Sequence, residues 1–494
     1  MHKKLINTVN VFEGYCIRAL ASKQFFWLVI CLFTIQALWV VFSIRYPILF
    51  DEVFHFEVIK VFGHQISPIV TNQPIKYDIY GNLTFGSASL YHYLLSYPYR
   101  LVASITADFT VQVIFLRIIN VLMATTGLFV FARLFKAIGI KQLFINLSIF
   151  FFSLIPIVTL VSATISYDNL LFLLTAWFFL LGVQILQTKD ISASRVLQFV
   201  IVGIFASLVK FTFLPIFVSG LVFVIAILFK KYGKHTLAKF TESVKNVSKS
   251  KQALLIVLFI VISSFFVGRY LVPIIKYGSP IPDCGVTLSR DRCLVSNVYK
   301  YESGLKETKL DRPVEPPQQY VLSWLKNIVM QLDTSAAVTP RGTLVGIAMP
   351  IFAILMATGA YIGVVALLIA WRKLDKNIGW YFLITMTCVL LATVLLFNAM
   401  SYYSAHLDIN TQTRYLLSVF PIVMVMSLVA INDIIGNRHH IKFLVLVMVL
   451  LLCTQGGGII KPILNANNEW YWQNSVIIET NNSIKNLIAP LVQE

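Results

Sequence analysis

The chain has 494 residues, of which 58% are hydrophobic and only 13% charged, with 38 Phe and a net charge of +18. A mean hydropathy of +0.79 and long runs without a charge exclude an ordinary soluble domain, which is usually about a quarter charged. They require a polytopic α-helical membrane protein, since each bilayer span takes about 20 apolar residues.

In chain order, the predicted spans are 25–44, 111–132, 143–163, 169–187, 197–209, 212–229, 253–274, 342–370, 379–398, 415–432 and 443–460. No small-residue cleavage site follows the first, so it reads as a retained span. The stretch from Leu197 to Phe229 is too long for one span and too short for two full ones. Treating it as two short helices puts every basic connector on the side of the N-terminus, as the positive-inside rule asks. Those cytoplasmic pieces then hold 21 Lys and Arg against five Asp and Glu, while the rest holds 19 against 17. The basicity is thus a signal of topology and of anionic lipid, and nucleic acid is not an expected partner. The reading is eleven spans, N-terminus cytoplasmic and C-terminus outside, in a bacterial inner membrane.

The spans divide the chain into an N-terminal membrane module (1–274) with a first outer loop at 45–109, an outer loop domain at 275–341, C-terminal membrane helices at 342–460 and an outer tail at 461–494. The first loop opens with YPILFDEVFHFEVIK, in which Phe54, Val58, Val61 and Phe62 recur at helical spacing. That pattern predicts an amphipathic interfacial helix, and SASLYHYLLSYPYRLVAS predicts a second. The 275–341 loop is polar and Pro-bearing, with one helix expected near 318–332. Its Cys284 and Cys293 lie on an oxidising face and suit a disulfide. Trp470, Tyr471 and Trp472 read as interface anchors. No metal-ligand spacing occurs, and no metal or other cofactor is expected.

Several polar groups could carry chemistry. Asp51, Glu52 and His55 share a helix face where the chain leaves the membrane. A carboxylate there can act as a general base toward a hydroxyl, or can simply favour the positive end of a helix dipole. Lys210 lies at the joint of the two short helices, Arg414 opens the tenth span, and Arg117 lies within the second. Cations at such depth want anionic partners, and a lipid phosphate would serve. The alternatives are snorkelling for Arg414 and a buried carboxylate or carbonyl for Lys210. Asp168 either caps the fourth span or lines a cavity.

Five segments taken in order resemble one family. A first span followed by an Asp-Glu pair opening an amphipathic helix is similar to the first outer loop of GT-C glycosyltransferases, among them protein O-mannosyltransferases and lipid A aminoarabinose transferases. LYHYLLSYPYRL, LRIINVLMATTGLFVFARLF, SLIPIVTLVSATISYDNLLFLLTAWFFLL and QTRYLLSVFPIVMV resemble later segments of that family. The resemblance implies transfer of a hexosyl or pentosyl group from a polyprenyl-phosphate carrier to a glycan, glycolipid or protein acceptor on the outer face, with inversion. By that analogy Asp51, with Glu52 beside it, is the catalytic base. His55 and Asp168 would position the acceptor, and Arg414, Lys210 and Arg117 would hold the donor phosphate. Two departures stand out: the chain lacks a large C-terminal soluble domain, and no second outer acidic motif would build a metal site. A lipid-linked glycan flippase, polymerase or ligase is the alternative class. A flippase should line a central path with charge, however, and a ligase should place its residues in a late loop.

Overall fold

A computed structural model describes residues 14–48, 51–68, 70, 73–83, 89–245, 247–296, 299–301, 303–304, 314–333, 337–338, 344–345, 350–370, 377–406, 411–436, 457–458 and 460–492. The described chain is almost entirely helical; its strands are the two-residue pair Ala337–Val338 and Leu344–Val345. Among the described residues, six helices are long and apolar enough to cross a membrane: Lys23–Ser43, Phe109–Ala137, Tyr167–Gln187, Phe211–Lys245, Lys249–Tyr277 and Ile378–Ser404.

The predicted third span is broken. Gln142–Leu154 and Pro156–Ser162 meet at 79°, because Pro156 has no amide hydrogen to continue the first helix and starts the second instead. Counted as one span, that pair raises the number of crossing helices to seven, so eleven is not reached by length and composition among the described residues. Ala193–Val209 and Phe420–Ile435 are shorter apolar helices. Pro350–Ala370 is a helix within the span predicted for 342–370. The predicted span 443–460 lies outside the described residues, apart from positions 457, 458 and 460.

Packing among these helices relies on small residues that let backbones approach. A Cβ built on Gly127 would stand 2.4 Å from the ring of Phe172, so the Phe109–Ala137 and Tyr167–Gln187 helices could not pack this closely with Ala there. One continuous apolar core joins them to the first span, to Ala193–Val209 and to Ile378–Ala405. The Lys249–Tyr277 helix is the least buried of the candidate spans. It contains a π-helical turn, Val267–Leu271, between its two α-helical parts.

Both amphipathic helices of the first loop form, as Glu52–Gly63 and Leu90–Ile105. Each buries its apolar stripe: Phe56, Ile59, Tyr91 and Leu95 enter the core. Pro317–Asp333 is the helix expected near 318–332. Cys284 and Cys293 are joined, and their short loop docks on the first one. There Arg292 donates to both oxygens of Asp78 at 2.7 Å and to the Gln73 carbonyl at 2.7 Å. The tail folds back on the first span. Trp470, Tyr471 and Trp472 lie along the exit of the first span, with Arg45 donating to the Trp470 carbonyl and Trp472 to that of Ser43.

Candidate active site

Asp51 stands immediately before the Glu52–Gly63 helix with φ 63° and ψ 24°, in the left-handed region. Asp tolerates that region better than most residues. Its side chain does not cap the helix. Oδ2 accepts instead from Arg414 Nη2 at 3.0 Å, across 363 positions of sequence. The Asp51 side chain is 63% exposed, whereas that of Arg414 is 2% exposed, so one partner faces arriving molecules and the other is fixed.

Arg414 sits on the short 3-10 turn Thr413–Leu416 ahead of the Phe420–Ile435 helix. Thr413 pins that turn, donating through Oγ1 to the Ile328 carbonyl at 2.7 Å and through N to Gln331 at 2.9 Å. Arg414 Nε lies 3.8 Å from Asp168 Oδ2, and Asp168 Oδ1 accepts from Lys210 Nζ at 2.8 Å. Lys210 holds the break between Val209 and Phe211, its ammonium 4.6 Å and 4.1 Å from the ring centres of Tyr167 and Tyr415. Buried charges persist when paired and when π faces help to solvate the cation. The structure thus brings together Asp51, Asp168, Lys210 and Arg414, two carboxylates and two cations.

Glu52 and Arg117 part from this group. Arg117 donates through Nε and Nη2 to Glu52 at 2.8 Å each, and both side chains are wholly buried. The amides of Ile48 (2.7 Å) and Ile165 (3.2 Å) fill the remaining positions on the carboxylate, and the Ile44 carbonyl accepts from Arg117 at 2.7 Å. Such a closed fork leaves Arg117 no face for a donor phosphate and Glu52 no face for an acceptor. The geometry gives no support to the expectations of phosphate binding by Arg117 and of direct catalytic work by Glu52. The physical reason is a partner 65 residues away that no local spacing reveals.

His55 is buried and stacks on His92, with Nδ1 and Nε2 2.8 Å apart. Its own Nε2 is buried without a hydrogen-bond partner. Burial, followed by the nearby charges of Arg414 and Lys210, holds its pKa well below the usual value, so the ring is neutral. Tyr167 separates His55 from Lys210, its ring 4.7 Å from that of His55. His92 was missed in the sequence, where a lone His on an amphipathic helix carries no pattern.

A cavity of 590 Å³ adjoins this site. Leu90, next to Tyr91, Leu208, two residues before Lys210, and Arg292 of the disulfide loop are among the residues that line it. Arg269, presented by the π turn, and Lys276 face it from the Lys249–Tyr277 helix, and among the described residues no carboxylate lines it. Among the described residues no three His, Cys, Asp or Glu side chains are placed to hold a metal ion.

No family model matches the chain, and no curated protein does. One solved structure to which it is similar is the oligosaccharyltransferase of Archaeoglobus fulgidus, tethered through a disulfide bond to an acceptor peptide containing the NVT sequon. The identity is 14% and the TM-score 0.41, over 96% of this chain and 54% of that one. This chain therefore spans about half the length of that protein.

Proposed function

We propose that the protein is an integral membrane glycosyltransferase of the GT-C type. It moves a sugar from a polyprenyl-phosphate donor to a hydroxyl of a glycan, glycolipid or protein on the outer face. The observation that carries this reading is Asp51, the exposed carboxylate of a four-charge cluster, held in a left-handed turn against Arg414. An acceptor hydroxyl gives its proton to Asp51 as its oxygen attacks the anomeric carbon. The bond from that carbon to the phosphate oxygen breaks, the electron pair stays on the phosphate, and the configuration inverts.

Arg414, beside Asp51, balances the charge that develops on the departing phosphate. Lys210 neutralises Asp168, so that Asp168 braces Arg414 without repelling the donor. Arg269 and Lys276 draw the anionic headgroup into the cavity from the bilayer, along the most lipid-exposed span. His55, a buried neutral imidazole between His92 and Tyr167, acts on the site through the Tyr167 ring and does not touch the acceptor. The reading includes no metal.

Sugar release from a panel of polyprenyl-phosphate donors, with mixed acceptors and the protein in lipid nanodiscs, tests this. Turnover is expected with one donor, giving an inverted product, and is expected to disappear in Asp51→Asn while donor binding persists. Turnover surviving in that variant would remove Asp51 from the base's role, and a wild type that neither binds nor turns over any donor would sink the enzymatic reading.

A further inference from the structure

The tail beyond the last membrane helix makes a specific contact with the charge network behind Asp51. Residues 470–472 run antiparallel to the exit of the first span, bridging Ile44 and Tyr471. Arg45 N donates to the Trp470 carbonyl at 2.8 Å, and Trp472 N to the Ser43 carbonyl at 2.9 Å. Trp472 Nε1 donates to the Val41 carbonyl at 3.3 Å. Asn481, on the Ser475–Val492 helix, adds a bond to Ser43 Oγ at 3.2 Å. These bonds place the Trp472 ring 5.5 Å from the guanidinium carbon of Arg117. Arg117 in turn grips Glu52, and Glu52 holds the Ile48 amide, three residues before Asp51, and the Ile165 amide, which leads into the Tyr167–Gln187 helix.

We propose that Trp472 is a positioning residue of the active site, acting through the Arg117–Glu52 pair to hold the left-handed turn that presents Asp51. An aromatic face covers a buried guanidinium without competing for its carboxylate, because its π electrons attract the cation and offer no second acid. A polar or missing side chain at 472 would let water reach Arg117 and loosen its fork. The same segment fixes the register of residues 43–45, two of which supply carbonyls to that guanidinium. The tail therefore enters the catalytic geometry as well as anchoring the chain.

The inference rests on the glycosyltransferase reading for its kinetic arm alone. That arm compares wild type, Trp472→Ala and Trp472→Phe on the donor that supports turnover. A fall in kcat of about tenfold is expected in Trp472→Ala, with KM for the donor unchanged and most of the rate restored in Trp472→Phe. A change in KM alone would overturn the proposal, since it would put the tail on a binding surface. The second arm needs no substrate: hydrogen exchange at the Ile48 and Ile165 amides should quicken in Trp472→Ala and match wild type in Trp472→Phe. Unchanged exchange would overturn the proposal whatever the activity. A wild type inactive on every donor would count against the enzymatic reading and leave the exchange arm to decide this one.

Discussion

Asp51 and Glu52 are consecutive carboxylates with opposite surroundings. Asp51 is 63% exposed and meets one arginine through a single bond. Glu52 is wholly buried and accepts two bonds from another arginine and two from backbone amides. The left-handed turn at Asp51 makes the difference, because it sends one side chain outward just before the helix turns the next one in. The lesson is that an acidic pair in sequence need not be a pair in chemistry. One carboxylate builds the turn, and the other is what the turn presents.

Predictions can break or sharpen that contrast. The largest effect belongs to Asp51→Asn, which should lower turnover by about a hundred- to ten-thousandfold, the usual contribution of a general base. Its thermal unfolding in nanodiscs should stay close to that of wild type, since the Asp51 side chain is solvated and the buried Arg414 keeps the Asp168 carboxylate beside it. Glu52→Ala should do the reverse in stability, costing about 3–5 kcal/mol by stranding the buried Arg117 guanidinium. Denaturant titration would measure it, and combining Glu52→Gln with Arg117→Met should recover much of the loss. Equal stability losses in Asp51→Ala and Glu52→Ala would erase the distinction.

A smaller effect is expected from Arg414→Gln, which should reduce kcat more than donor affinity if Arg414 chiefly balances the leaving phosphate; steady-state kinetics on the active donor separate the two. The smallest effects concern pH. His55 is held neutral by burial, so its folded pKa lies below its unfolded value of about 6.5. Stability should therefore be full above that pH and decline as pH falls toward the folded value. Asp78 has its pKa lowered by its bonds to Arg292. Its contribution is present above the ordinary carboxylate value of about 4 and is lost as pH falls through the depressed one. A melting series from pH 8 to pH 3 should show the two declines in that order, the first absent in a His55→Phe variant that folds.

Much of the scaffold was legible because it is local. The apolar runs, the two amphipathic helices of the first loop and the 317–333 helix are periodicities that a backbone can obey within a dozen residues. Arg414 and Lys210 could be singled out because each is a charge at a depth where charge is costly, and Asp51 because it opens an acidic helix face where the chain leaves the membrane. What the reading could not supply was pairing. Arg117 looks like any intramembrane cation until Glu52 is seen against it. His92, Arg269 and Lys276 gain meaning only from what the fold sets beside them. The break at Ile155 was missed for a different reason: Pro156 was visible, but the apolar composition on both sides masked the bend.

The π turn at Val267–Leu271 has an evolutionary consequence. Such a turn is an α-helix that has absorbed one extra residue, and each residue of an α-helix turns the chain by about 100°. Deleting a single position there would return the segment to regular α-helix without turning Lys276 by that angle, because the wide turn has already taken up the rotation. Only the residues of the turn itself, Arg269 among them, would be re-aimed, so one codon lost in a membrane helix would change what the adjoining cavity admits while the charge cluster around Asp51 kept its place.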